Sequence, residues 1–293
     1  MGHHFDPQFY LGGFAKPGTN SLFMYEKGRA APRLLPIKEI GQEKDLYSHE
    51  IENRLSVDIE GPANRVLGMI RGYNSITDED KKILSDYIYV FYKRVPKAKK
   101  RFQAASLEIA IDLKEKISGR LDSIEREDPE KSDTCRERKE EAEQILKEFA
   151  TNPDPKIWQD AILIENDNAP EIIQQMTWTF FTCIWPEVFI TSDNPVFVHP
   201  RLGINKLNSE LSLPINRGIA LLATWWDIKD LQYLEANQEV IRQMNRRTAY
   251  NRDRFLYSDV ERPWISNLNN KDRHIIQLFS YPGPRRSIIA PQP

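Results

Sequence analysis

A histidine, side-chain amides and several carboxylates stand in this chain at positions where they could do acid–base or metal chemistry. His4 opens the run His4-Phe5-Asp6-Pro7-Gln8-Phe9-Tyr10-Leu11-Gly12-Gly13-Phe14. An imidazole that titrates near neutrality can act as general base or metal ligand, and Pro7 beyond it fixes the local backbone. Gln8 lies in the same run. Asp193 and Asn194 belong to Ser192-Asp193-Asn194-Pro195, which follows the apolar run Val188-Phe189-Ile190-Thr191. Loops at strand ends carry many catalytic carboxylates, and Asn194 could orient a substrate. Glu52 and Glu60 are eight residues apart, just over two helical turns, so they can share a face. One of them, joined to His4 and Asp193, would make a mixed nitrogen–oxygen site. Such a set suits a divalent ion such as magnesium or manganese that activates water for hydrolysis. The candidate catalytic residues are therefore His4, Gln8, Asp193, Asn194 and Glu60. His4, Asp193 and Glu52 are the candidate metal ligands, and Tyr10, Arg94 and Arg254 the candidates for holding substrate.

Each of these residues also has an ordinary explanation. A lone histidine can be hydrogen-bonded at a strand start. Asp and Asn can close an Asx turn on their own main chain, and glutamates on a helix can face water or pair with Arg54 and Arg65. No His-Glu-x-x-His or Cys-x-x-Cys spacing is present, nor a phosphate-binding glycine loop, nor a Gly-x-Ser-x-Gly elbow. Cys183, inside Phe180-Phe181-Thr182-Cys183-Ile184-Trp185, reads as core rather than nucleophile. Basic groups gather twice. Tyr92-Lys93-Arg94 with Lys97 to Arg101 and Phe102 form one cluster, and Arg242, Arg246, Arg247, Arg252 and Arg254 the other. Either could track phosphates or be plain helix surface.

These residues must be positioned by local elements. Alternation of Phe9 and Leu11 with Gln8 and Tyr10 predicts an N-terminal strand from His4 to Phe14, returning through a turn at 16–20 into Ser21-Leu22-Phe23-Met24-Tyr25. Helical spacing runs from Leu46 to about Arg71, interrupted at Gly61-Pro62. Thr77 followed by Asp78-Glu79-Asp80 predicts a capped helix that stops at Val95-Pro96. Another helical stretch opens at Lys97, and charge of both signs fills 112–148, including a solvated helix from Cys135 to Phe149. A further helix is expected over 156–181, broken near Ala169-Pro170. Beyond Trp185-Pro186 the pattern becomes strand-like at 188–191, 196–198, 210–215, 218–224, 255–257 and 274–279, with one helix at 238–250. The expectation is an α+β fold. An N-terminal β-hairpin joins a C-terminal, mostly antiparallel sheet, with a helical insertion over 46–181 inside a single domain spanning 1–293.

The bulk properties set outer bounds. The 293 residues are 40% hydrophobic and 10% aromatic, enough for a sizeable core. A formal net charge of −2 provides no global basic field for nucleic acid, though a local basic groove is compatible with it. Two cysteines point to a reducing compartment rather than a disulfide scaffold. No signal-type apolar segment and no long apolar run is seen, so no membrane partner and a cytoplasmic location are expected.

The signatures His4-x-x-Pro7-Gln8-Phe9-Tyr10-Leu11-x-x-Phe14, Glu52-x-x-Leu55 with Glu60, Arg94-x-Pro96 and Ile190-Thr191-Ser192-Asp193-Asn194-Pro195-Val196 continue into Leu213-Pro214-Ile215, Asn245, Ala249 and Tyr257. Across nearly the whole chain they resemble the domain-of-unknown-function 4238 family. That resemblance implies coverage and which residues to weigh, and carries no activity. Two functions follow from the residues themselves. One is a hydrolase, a metal-assisted nuclease or phosphodiesterase. The other is a non-catalytic protein- or nucleic-acid-interaction module whose charged helices at 112–148 meet a partner.

Overall fold

The computed structural model describes residues 2–44, 46, 48–163, 168–200 and 202–279. The fold is α+β, with two mostly antiparallel sheets and a helical middle. In chain order, β1 (Gly2–His4) is followed by α1 (Gln8–Leu11) and a 3-10 turn (Gly12–Phe14). The expected strand from His4 to Phe14 is thus mostly helical. Pro7 precedes the helix with a fixed φ, and Tyr10, Leu11 and Phe14 are all fully buried. Positions 10, 11 and 14 share one helical face. The alternation fails because Tyr10 acts as an apolar position.

The next elements are β2 (Ser21–Glu26), β3 (Arg33–Pro36) and β4 (Gln42–Lys44), the last pairing antiparallel with β1. The N-terminal hairpin is therefore β2 with β3. The α2 helix (His49–Arg54) passes through a π-helical turn (Leu55–Glu60) into α3 (Gly61–Arg71). Pro62 is tolerated at the start of α3, where its missing N–H is not needed. The α4 helix (Asp78–Arg94) carries a capping box between Thr77 and Asp80, and Arg65 adds an ion pair to Asp80 at 2.6 Å.

Residues 97–163 form a compact unit of their own, separate from 1–96 with 164–293. That unit is narrower than 46–181, because α3 and α4 are core helices of the larger unit, with Leu67, Ile70, Leu84, Tyr87, Ile88 and Phe91 buried. It holds most of α5 (Pro96–Glu127), then α6 (Ser132–Thr151) and α7 (Pro155–Ile162). The opposite charges of 112–148 largely satisfy one another. Lys114 meets Glu143 at 2.5 Å, and Lys139 meets Asp122 at 2.6 Å and Glu125 at 3.3 Å.

In the larger unit, α8 (Ala169–Gln175) leads into β5 (Thr177–Thr182), so the last part of the expected 156–181 helix is a strand. Thr177-Trp178-Thr179-Phe180-Phe181-Thr182 contains only β-branched and aromatic residues, which suit a pleated surface. The remaining elements are β6 (Thr191–Ser192), β7 (Phe197–Val198), β8 (Leu211–Asn216), β9 (Ile219–Thr224), β10 (Gln232–Glu235), α9 (Gln238–Asn251), β11 (Phe255–Ser258) and α10 (Pro263–Asn269). Residues 274–279, expected as a strand, have no regular structure.

Besides the two-stranded pair of β1 and β4, one sheet is ordered β3-β2-β11-β6 and the other β10-β5-β9-β8-β7. Only β10 with β5 is parallel among these pairs. The first sheet joins residues 21–26 to 255–258, so early and late parts of the described chain pair in one sheet. No described helix is long and apolar enough to cross a membrane.

Candidate functional site

The N-terminal signature is used largely by the fold. His4 Nδ1 lies 3.1 Å from the Ile40 carbonyl, and the Gln8 amide nitrogen lies 3.2 Å from His4 Nε2. The consistent tautomer has Nδ1–H donating to Ile40, which leaves Nε2 to accept from Gln8. Both ring nitrogens therefore have protein partners. The His4 carbonyl accepts from Arg94, whose guanidinium also pairs with Glu60. Arg94 is 1% exposed, so it is a buried tie between β1 and the end of the π-helical turn. Glu52 sits half-buried on α2. Among the described residues, no three His, Cys, Asp or Glu side chains gather where they could hold a metal ion.

Tyr10 links the two sheets. Its hydroxyl donates to the Pro214 carbonyl at 2.9 Å and lies 2.7 Å from Thr191 Oγ1. The phenol has one proton, so the threonine is the donor in the second bond. Arg71, which no motif marks, holds the same corner by donating to the carbonyls of Phe9, Tyr10 and Ile215 at 3.0, 3.1 and 3.2 Å. Gly13 permits that approach. A Cβ there would stand 2.8 Å from the Arg71 guanidinium and 2.9 Å from the Ile215 carbonyl.

The second signature is a stitched loop. Asp193 Oδ1 accepts from the Asp253 N–H at 2.8 Å, and Oδ2 accepts from Arg254 at 2.7 Å and Phe255 at 3.0 Å. Asn194 donates to the Asn251 carbonyl at 2.6 Å, and Asn251 answers by donating to Asn194 and Val196 at 2.7 and 2.8 Å. These bonds fasten residues 193–196 to the passage from α9 into β11. Arg254 faces outward, paired with Glu26 at 2.9 Å.

The two signatures come together through Asp6. It is fully buried, with the Tyr257 hydroxyl beside its carboxyl. Burial drives its pKa well above the usual carboxylate range. The charge of Asp193 pushes the same way, while Arg94 and the Tyr257 hydroxyl pull it down. Asp193 is pushed up to about 6 by burial, against its three amide donors.

A raised carboxyl pKa means that the folded chain binds a proton which the unfolded chain, titrating near about pH 4, has already released. The stability these two groups contribute is fully present below about pH 4. It is lost as the pH rises, through about 6 for Asp193. Asp6→Asn removes the charge at constant shape. In thermal melts from about pH 4 to about pH 8, the variant should match the parent at the acid end and gain a growing advantage toward neutrality. Parallel curves would show that Asp6 is not charged at a cost.

The second basic cluster divides. Arg247 and Arg252 turn inward. Arg247 pairs with buried Glu210, and Arg252 donates to the carbonyls of Ala249, Asn269 and Lys271. Arg242 and Arg246 instead face an open groove of about 610 Å³ between α9 and α10. Gln238, Ile241, Arg242, Asn245 and Arg246 form its α9 wall, and Trp264, Asn267, Leu268 and Lys271 the facing wall. Both sets recur at helical spacing, so each is a single face. Pro186, Glu187, Val188 and Arg262 complete it. Four cations and one carboxylate thus line it, and one of the four, Arg242, is already paired with Glu239 at 2.9 Å. His274 is pushed down to about 4 by burial and then by the charges of inward-turned Arg252 and of Lys271 and Arg246 from the groove.

Arg262 donates to the Pro186 carbonyl at 3.1 Å, with its guanidinium 4.9 Å from the Trp185 ring centre. Arg262, Trp264 and Lys271 are not among the residues expected from the sequence, because α10 is only seven residues long and its apolar positions, Trp264, Ile265 and Leu268, make too short a pattern to stand out. The cue is Pro263 at the start of a short helix, where proline is favoured. Cys183 is buried, and its thiol is pushed up to about 12 by burial, which fits a core position.

No curated protein and no solved structure matches the chain. The model of a family described as "Protein of unknown function (DUF4238)" matches residues 2–261. Both terminal signatures fall within that match, and the chain belongs to this family.

Proposed function

We propose that the chain is a non-catalytic nucleic-acid-interaction module that holds phosphates in the groove between α9 and α10. The observation carrying this reading is a local charge reversal. A chain of net charge −2 gathers Arg242, Arg246, Arg262 and Lys271 around one opening, where Glu187 is the lone acid in the lining among the described residues and Glu239 pairs with Arg242 from outside it. Cations that neutralise backbone phosphates release counterions, which drives association without base readout. The hydrolase reading draws less support from the geometry. Asp193 has both oxygens on main-chain amides, and Glu60 is held by Arg94.

The test is a fluorescent oligonucleotide titrated with the purified chain over a range of salt. Arg242→Gln with Arg246→Gln should weaken binding about tenfold at low salt. It should also flatten the slope of log K against log salt by about 1.4, roughly 0.7 for each single-strand phosphate no longer neutralised. An unchanged slope would remove the groove from consideration. In the same tubes with magnesium or manganese the oligonucleotide should stay intact. Cleavage that His4→Ala or Asp193→Ala abolishes would restore the hydrolase reading.

A further inference from the structure

Beside the phosphate groove lies a second opening, and each is lined by an exposed tryptophan on which a base could stack. The second cavity, about 320 Å³, shares Glu187 and Val188 with the groove and continues past Trp185 to Tyr73, Asn216 and Gly218. Trp185 is 59% exposed and Trp264, in the groove wall, is 38% exposed. By contrast Trp178, in the sheet, is fully buried with its indole N–H bonded to the Ile173 carbonyl at 2.9 Å. Burying an aromatic ring is among the larger gains available to a fold, and here one ring remains mostly in water at the mouth of a cavity. The Arg262 guanidinium over Trp185 orients that ring.

The shared rim constrains how a strand would cross. Glu187 is a carboxylate lining both openings, so it repels phosphate there, and Arg217 in the second opening is paired with Asp259 at 2.8 Å. A strand passing from the cations of the groove toward Trp185 must bring a base, not its backbone, past Glu187. Bases in a duplex are already stacked on one another and cannot be offered to a protein ring, whereas single-strand bases can.

Resting on the nucleic-acid reading above, we infer that the occupant is a single strand, with phosphates at Arg242, Arg246 and Lys271 and bases stacked on Trp264 and Trp185. The full chain is titrated with labelled single strands of RNA and of DNA, about 15 nucleotides long, and with a duplex of equal length, at one salt concentration. Single strands of either kind should bind at least about tenfold tighter than duplex. Trp185→Leu should weaken single-strand binding by about 5- to 100-fold, the range expected for one stacked base, and leave duplex binding unchanged. Trp264→Leu, with an unchanged circular dichroism spectrum, should act in the same direction.

Equal affinity for duplex and single strand, or no effect of Trp185→Leu, overturns the single-strand inference. The nucleic-acid reading survives those outcomes if Arg242→Gln with Arg246→Gln weakens every nucleic acid tested. Binding of neither nucleic acid overturns both. Tighter binding of polyglutamate than of any oligonucleotide also overturns both, and assigns the groove to an acidic peptide.

Discussion

Replacing Arg247 by alanine should destabilise the chain by about 3–5 kcal/mol, the cost of leaving a buried charge without its partner. Arg247 is 0% exposed. Its guanidinium pairs with Glu210, donates to the Gln277 carbonyl at 2.7 Å, and lies 5.1 and 4.2 Å from the ring centres of Phe197 and Phe279. Glu210 is buried too, and its second oxygen accepts the Phe279 N–H at 2.7 Å. One side chain on α9 therefore fixes Glu210, just before β8, and the irregular segment 277–279. Truncation removes the aromatic packing and strands the Glu210 carboxylate in the interior. The control is Arg247→Met with Glu210→Gln. It removes both charges, keeps most of the volume, and should recover much of the loss. Urea unfolding midpoints measure all three proteins. A single variant within about 0.5 kcal/mol of the parent would show that the pair holds nothing in place.

Asp193→Ala should cost a comparable amount by a different route. Three amides, of Asp253, Arg254 and Phe255, lose their acceptor at once. Each of these partly buried donors, left unmet, costs about 1–2 kcal/mol, the lower part of the range for buried groups. Shared relaxation keeps the sum below simple addition, at about 3–5 kcal/mol. Asp193→Asn should fall between. Its oxygen can serve the two amides that Oδ2 now takes, but its NH₂ then faces the Asp253 N–H donor to donor. The order parent, Asn, Ala in unfolding midpoint is the expected result. A purely catalytic aspartate would give the opposite pattern, with lost chemistry and an unchanged midpoint. The same experiment therefore separates a fold-holding role from the acid–base role that its residue type suggests.

The architecture is readable where local rules and tertiary demand coincide. The α4 cap follows from Thr77 and its acids, and the β8–β9 pair from two apolar runs around Asn216-Arg217-Gly218. The expected boundaries of α9 agree with the helix within a residue or two. Failures arise where one residue type serves two purposes. Tyr10 carries a hydroxyl and so counts as polar in an alternation, although its ring is core and its phenol ties two sheets. The arginines of α9 look like one basic cluster along the chain. Arg242 and Arg246 share a face by helical phase, and Arg247 points more than a quarter-turn away, into the interior. That split is present in the spacing, and clustering by proximity in sequence hides it. The groove itself cannot be read locally. Its walls come from residues 186–188, 238–246 and 262–271, and only the folded chain brings them together. Asp193 and Asn194 stand out for their types, and the hydrogen bonds by which they close their loop appear only in the folded chain.

The pairing of β2 with β11 bears on how the polypeptide is made. The hairpin of β2 and β3 leaves the ribosome well before β11, with one side of β2 unpaired until Phe255–Ser258 has been synthesised. Contacts this distant along the chain slow folding, and an open strand edge is a template for wrong partners in the meantime. A nascent chain stalled before β11 should therefore remain protease-sensitive and recruit chaperones, and shift to resistance only when translation has passed that strand.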